Sequence, residues 1–262
     1  MPGWEAAVSY RHVLARTSSP RARQAVRDAA VAAVLRRAIA CVRHASHPTA
    51  EAVHSWPERP AGEVDLDASV DAGLLERPED PERLRVRVRE PRRTDITLIL
   101  DMSLSMTGEK IAILAVAATV MALRLPMSDL GVVAFDSTAR VLKRLGDRVP
   151  VKTFVQRVLE VPARGYTHLE AGLKAGLREQ RRSSSASRAG VLLSDGVYNV
   201  GWDPTPLAAR FQRLHVVHLG EEDLDRGLCR RLATVGRGRY YRAASWESLP
   251  RTTYTLVRDI FR

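Results

Sequence analysis

Ile96-Thr97-Leu98-Ile99-Leu100-Asp101-Met102-Ser103-Leu104-Ser105 is the stretch from which the fold can be read. Its first five residues are an aliphatic, partly β-branched run of the kind that forms a strand buried on both faces. A carboxylate closes the run, and two hydroxyls follow at alternate positions. At the exit of a buried strand, Asp101, Ser103 and Ser105 can turn three oxygens toward one point. Grouped hard oxygens of this kind suit Mg²⁺, Mn²⁺ or Ca²⁺. Asp and Ser also serve ordinary turns, so the triplet takes its meaning from the rest of the chain.

Outward from this stretch, strand-like and helix-like patterns alternate. Residues 110–125 read as a long apolar helix stopped by Pro126. Strands are predicted at 131–135, 139–145 (an outer strand paired with the one before), 189–193, 215–219 and 239–242. Helices are predicted over 151–161, 167–180, 204–214, 224–235 and 246–261. The alternation predicts an α/β fold, a doubly wound and mainly parallel sheet with helices on both faces. Ligands in such sheets sit beyond the carboxyl ends of the strands, at the switch in strand order. Asp101 and Asp195 each follow a buried strand directly, which brings them to the same sheet edge. Thr167, in the loop Gly165-Tyr166-Thr167-His168-Leu169, can add a further oxygen there.

Residues 1–93 read as a small helical N-terminal extension with one edge strand, ahead of a domain spanning 94–262. In the helix predicted over 21–44, Val26, Ala30, Val34, Ala38 and Val42 recur every four residues and give one packing face. Pro48, Pro57, Pro60 and Gly62 then break the chain. The acidic segment 63–73 reads as a helix turn or a docking segment. Residues 84–89 alternate apolar and basic side chains, the pattern of an edge strand with one wet face.

The formal net charge is +11, and nearly all the basic residues are Arg. Two readings stand: compositional bias, or a surface suited to an acidic partner or nucleic acid. Aromatics are only 5% of the chain, and no basic run carries interleaved rings, which argues against a dedicated single-strand binder. The two cysteines, Cys41 and Cys229, lie in helix-like segments and read as buried free thiols. They offer neither zinc spacing nor a disulfide scaffold. The first twenty residues have no apolar core, and the apolar stretch 29–42 is split by Arg36-Arg37 and too short to span a bilayer. The expectation is a cytoplasmic protein with no membrane span.

Taken together, Asp101-x-Ser103-x-Ser105 with Met106, Thr167 in Gly-x-Thr-x-Leu, and Asp195 in Leu-Leu-Ser-Asp-Gly resemble the von Willebrand factor A domain and its metal-ion-dependent adhesion site, MIDAS. Asp129-Leu130-Gly131 through Phe135 is similar to the family's second strand. The resemblance covers residues 94 to about 240. It implies that Ser103, Ser105 and Thr167 bind Mg²⁺ (Mn²⁺ as the second option) directly, with Asp101 and Asp195 acting mostly through coordinated waters. An Asp or Glu carboxylate of a protein partner would complete the octahedron. Many members carry Gly where this chain has Leu104, which would be strained there if the position needed a positive φ. The segment ahead of the domain is similar to intracellular bacterial proteins paired with MoxR-type AAA+ ATPases, including CoxE-like proteins. The resemblance therefore implies a non-enzymatic adaptor or scaffold, with an AAA+ ATPase as candidate partner.

Other readings compete. Ser103 and Ser105 could cap a helix starting near Gly108. Thr167 could be an N-cap completed by Glu170, and Asp195 a turn residue before Gly196. Two carboxylates and a cation are also raw material for metal-assisted hydrolysis, with His168 the nearest candidate base. A Ser103–His168–Asp195 triad lacks the strained nucleophile elbow such sites need, and no P-loop occurs. His215 and His218, flanking a strand core, read as structural.

Overall fold

The computed structural model describes residues 3–42, 49–58, 60, 62–91, 93–220 and 225–261. In chain order the elements are α1 (Gly3–Val8), α2 (Tyr10–Arg16), α3 (Pro20–Val42), β1 (Thr49–Ser55), β2 (Glu63–Val64), α4 (Leu66–Asp71), β3 (Arg85–Pro91) and β4 (Asp95–Asp101). They continue as α5 (Glu109–Arg124), β5 (Leu130–Phe135), β6 (Ala139–Lys143), α6 (Val151–Glu160), α7 (Leu169–Gln180) and β7 (Arg188–Ser194). The chain ends with α8 (Thr205–Ala208), β8 (Leu214–Leu219), α9 (Arg226–Val235), β9 (Arg237–Ala243) and α10 (Leu249–Ile260). The helix ends expected at His44 and Leu224, and the break at Pro48, lie outside the described residues.

Two compact units result: Met1–Ala45 with Thr94–Ile260, and Ser46–Arg93. The first is the expected α/β fold. Its six strands run in the order β6-β5-β4-β7-β8-β9, all parallel except β6, which pairs antiparallel with β5 at the edge. β5 and β8 are buried along their whole length, as strands covered on both faces must be. α5 is buried on nearly every side, from Ile111 to Ala122. A helix that is apolar all round belongs in an interior. It is enclosed by α3, α6 and α10. α7 lies close on β4 and β5 because it carries glycines where they touch. A Cβ on Gly172 would sit 2.5 Å from the Phe135 ring, and one on Gly176 2.5 Å from Ile99 Cδ1.

The helices of the first 45 residues pack in the same compact unit as the large sheet. Ala30, Val34 and Ala38 of α3 are buried as their spacing requires. Arg124 Nη2 donates to the Val42 carbonyl at 2.6 Å, and the Arg37 guanidinium lies 3.6 Å from the centre of the Trp246 ring. Ser46–Arg93 is the second unit, an antiparallel sheet in the order β1-β3-β2 with α4 beside β3. Here the expected edge strand is corrected: β3 is the central strand, paired with β1 along its length and with β2 at two residues. The alternation of Val and Arg reported a wet face, with Val86 wholly buried and Arg87 about half exposed. It carried no information about whether the strand's edges were paired. The expected helix over 204–214 is reduced to α8. Phe211 leaves the helical path and is fully buried against Gly176 and Gly190. No described helix is long and apolar enough to cross a membrane.

Candidate functional site

β4 lies at the middle of the large sheet, with β5 on one side and β7 on the other. The chain leaves β4 toward β5 and leaves β7 toward β8, so the two exits diverge and open a crevice at the carboxyl edge. Leu100 and Leu193 are register partners. Asp101 and Ser194 therefore end their strands side by side, and Asp195 follows at once.

Asp101 is wholly buried. Its Oδ1 accepts from the Ser103 backbone N–H at 3.0 Å, and its Oδ2 from Ser194 Oγ at 2.5 Å. Burial pushes its carboxyl up to about 6, against the downward pull of Ser103 and Ser194, and Asp195 adds a smaller upward push. A bound cation favours the ionised form of such a group. The loop that follows is pinned through its apolar side chains: Met102 and Met106 are fully buried, while Leu104 is 63% exposed. The Met102 amide donates to the Phe135 carbonyl at 2.7 Å. Ser103 Oγ and Ser105 Oγ lie 3.1 Å apart. Leu104 has no positive φ, so its side chain replaces glycine without strain.

Asp195 is 2% exposed. Its Oδ2 accepts from Lys110 Nζ at 3.2 Å. Its backbone carbonyl lies 2.9 Å from His218 Nε2, and His218 Nδ1 lies 3.0 Å from the Tyr240 hydroxyl. A carbonyl can only accept, so Nε2 carries a proton; in the neutral ring Nδ1 then accepts from Tyr240. His218 is structural, as its strand position suggested, and it holds the backbone of a site residue. His215 is buried too, and burial drives it down to about 4.

Thr167 is 3% exposed. Its loop is tied on three sides. The Thr167 amide donates to Asn199 Oδ1 at 2.9 Å, and its carbonyl accepts from the Asn199 amide. The Tyr166 amide donates to Ser137 Oγ at 2.9 Å, and the His168 amide to the Asp136 carbonyl at 3.0 Å. Toward the Asp101 loop, the Leu104 amide donates to the Gly165 carbonyl at 3.4 Å and the Arg164 amide to the Met102 carbonyl at 3.2 Å. The capping reading of Thr167 does not hold. His168 is the N-cap residue of α7, without a side-chain cap bond, and Glu170 pairs with Lys174 and the Trp202 amide. His168 faces Ser137 and Glu170, which leaves Ser103 without the histidine a triad requires.

The structure thus links Asp101, Ser103 and Ser105 directly, sets Asp195 at the neighbouring strand end, and hydrogen-bonds the Thr167 loop to the Asp101 loop. Mg²⁺ bonds of about 2.1 Å at right angles put neighbouring donors about 3.0 Å apart, close to the spacing of Ser103 Oγ and Ser105 Oγ, 3.1 Å. Among the described residues there is no cluster of three or more His, Cys, Asp or Glu. The donors here are hydroxyls with two carboxylates, a set that suits hard cations. Lys110, Ser194, His218 and Asn199 were not singled out as site residues. Ser194, next to Asp195, was the one with a sequence signal.

Residues 95–255 match the family model of the von Willebrand factor type A domain. Among curated proteins none gives a significant match. An aerotolerance-related membrane protein from Bacteroides fragilis is similar at 16% identity, with 62% of this chain and 98% of that chain covered and a TM-score of 0.51. Proximal thread matrix protein 1 from the mussel byssus, with a zinc-occupied MIDAS motif, shares 17% identity over 64% of this chain and 48% of its own, at a TM-score of 0.54. The pilus adhesin SpaC from Lactobacillus rhamnosus GG shares 14% identity over 65% of this chain and 30% of its own, at a TM-score of 0.53. At these identities the likeness is one of fold. With the family model matched over more than half its length, the chain belongs to the von Willebrand factor type A domain family.

Proposed function

We propose that this chain is a Mg²⁺-dependent protein-interaction module, with Asp101, Ser103, Ser105, Thr167 and Asp195 holding the cation and a partner's Asp or Glu carboxylate completing its shell. The observation that carries this reading is the pair of hydroxyls, Ser103 Oγ and Ser105 Oγ, 3.1 Å apart beside two buried aspartates at the switch in strand order. When bound, the cation supplies a Lewis-acidic docking point. The residues do the rest. Ser194 and the Ser103 amide fix Asp101, His218 fixes the Asp195 backbone, and Asn199 fixes the Thr167 loop, so these elements are held in place before metal arrives. Preorganisation of this kind matters for Mg²⁺, which gives up water reluctantly. Exposed Leu104 stands at the rim, where a partner would meet it.

The module is read as a non-enzymatic adaptor spanning 94–262, with 1–93 as its N-terminal extension and a MoxR-type AAA+ ATPase as candidate partner. Exposed Val64, Leu66, Val70 and Leu75 in the Ser46–Arg93 unit support a partner surface there. A cytoplasmic setting is supported by Cys41 and Cys229, which are buried free thiols. The test is pull-down of a MoxR-type AAA+ ATPase by this chain, with and without EDTA. Capture is expected to require the metal and to be lost in Asp101→Ala and Thr167→Ala, both still folded. Undiminished capture in chelator would refute the metal-gated reading.

A further inference from the structure

Lys110 is at odds with its local context. It stands in the first turn of α5, where the helix dipole disfavours a cation. Yet Nζ reaches to 3.2 Å from Asp195 Oδ2, with the two side chains only 20% and 3% exposed. Its stem crosses Gly220, the residue that follows β8. A Cβ there would lie 2.8 Å from Lys110 Cε, and Gly220 holds φ +103°. The path over a glycine and the ion pair at its end favour this pose, which the helix dipole opposes. A carboxylate as buried as Asp195 needs a compensating charge, and in the metal-free chain Lys110 supplies one. A divalent cation approaching the same carboxylate meets that ammonium as a competitor.

We propose that Lys110 is a positioning residue that holds Asp195 in place before metal arrives and sets the metal affinity of the site by competing for that carboxylate. The inference rests on the metal-site reading of Asp195. The competition makes the site's affinity weaker than its donors alone would give, so loading depends on the ambient concentration of the ion.

The test is calorimetric titration of the full chain with Mg²⁺ and with Mn²⁺, together with melting of the metal-free chain. Lys110→Met keeps the apolar stem over Gly220 and removes the charge. It is expected to bind metal about tenfold more tightly than wild type, the worth of one charge-assisted hydrogen bond, and to melt lower without metal. Lys110→Gln, which keeps a donor for Asp195, is a milder variant expected to move both quantities the same way. Lys110→Arg keeps the charge and is expected to stay near wild type. A merely structural role would lower melting without tightening metal. Wild-type binding with no gain in Lys110→Met or Lys110→Gln overturns the role of Lys110 alone. Failure of wild type to bind either ion overturns the metal-site reading itself.

Discussion

Proton and metal should compete for Asp101, and the burial of that residue sets the pH at which they do. Its carboxyl is wholly buried and pushed up to about 6. With a pKa there, about a tenth of metal-free molecules carry the proton near pH 7 and about nine-tenths near pH 5. Metal binding must displace it, so apparent affinity should fall about tenfold across that interval. Protons released per metal bound should rise from about 0.1 near pH 7 to about 0.9 near pH 5. Calorimetric titration with Mn²⁺, in buffers of different ionisation heat, measures both quantities. The stability of the metal-free chain carries the opposite sign from the usual carboxylate. A pKa raised on folding means that the folded chain binds the proton more tightly between 3.8 and about 6. Stability is therefore lost as pH rises through that window, by up to about 3 kcal/mol. Constant affinity from pH 7 to pH 5, with no proton release, would refute the reasoning, because Asp101 would then be ionised throughout despite its burial.

Asp101→Asn should remove metal binding yet stabilise the metal-free chain above pH 6 by about 1–2 kcal/mol, since an amide replaces a buried charge while Ser194 Oγ turns to accept; urea unfolding at two pH values checks this. His215 should impose the other slope: driven down to about 4 by burial, it stays neutral when folded. In Asp101→Asn the term from His215 alone should then make stability fall as pH drops from 6.5 toward 4. His218→Phe should leave the Asp195 carbonyl unpaired, lower stability by about 1–3 kcal/mol, and weaken Mg²⁺ about 10- to 100-fold, as loss of an outer-shell partner does. Gly172→Ala should destabilise by about 1–3 kcal/mol through overpacking, because its Cβ would lie 2.5 Å from the Phe135 ring; a chemical melt with no loss would show that α7 can shift away from the sheet.

The large sheet was legible because its central parallel strands, β4, β5 and β7, each hold a contiguous apolar run, and Asp101 and Asp195 mark where two such runs end. The hydroxyls of the proposed metal site could be picked out because all but Thr167 sit within one loop. What escaped was decided by contacts remote in sequence. Lys110 meets Asp195 85 residues away, and Ser194 meets Asp101 93 residues away. Nothing local to Lys110 announces its pairing with Asp195. β1 gives no clear strand signal because it lies between prolines that read as a break, and β3 reads as an edge because alternation records burial, not pairing. α8 was read too long because Phe211 fits a helical pattern, while the space beside Gly176 and Gly190 pulls it inward.

Anomalous diffraction from crystals soaked in Mn²⁺ tests the central claim most directly. The account predicts one strong peak about 2.2 Å from each of Ser103 Oγ, Ser105 Oγ and Thr167 Oγ1, with both aspartates around it. A peak elsewhere, or a Thr167 hydroxyl turned away from the bound ion, would contradict it.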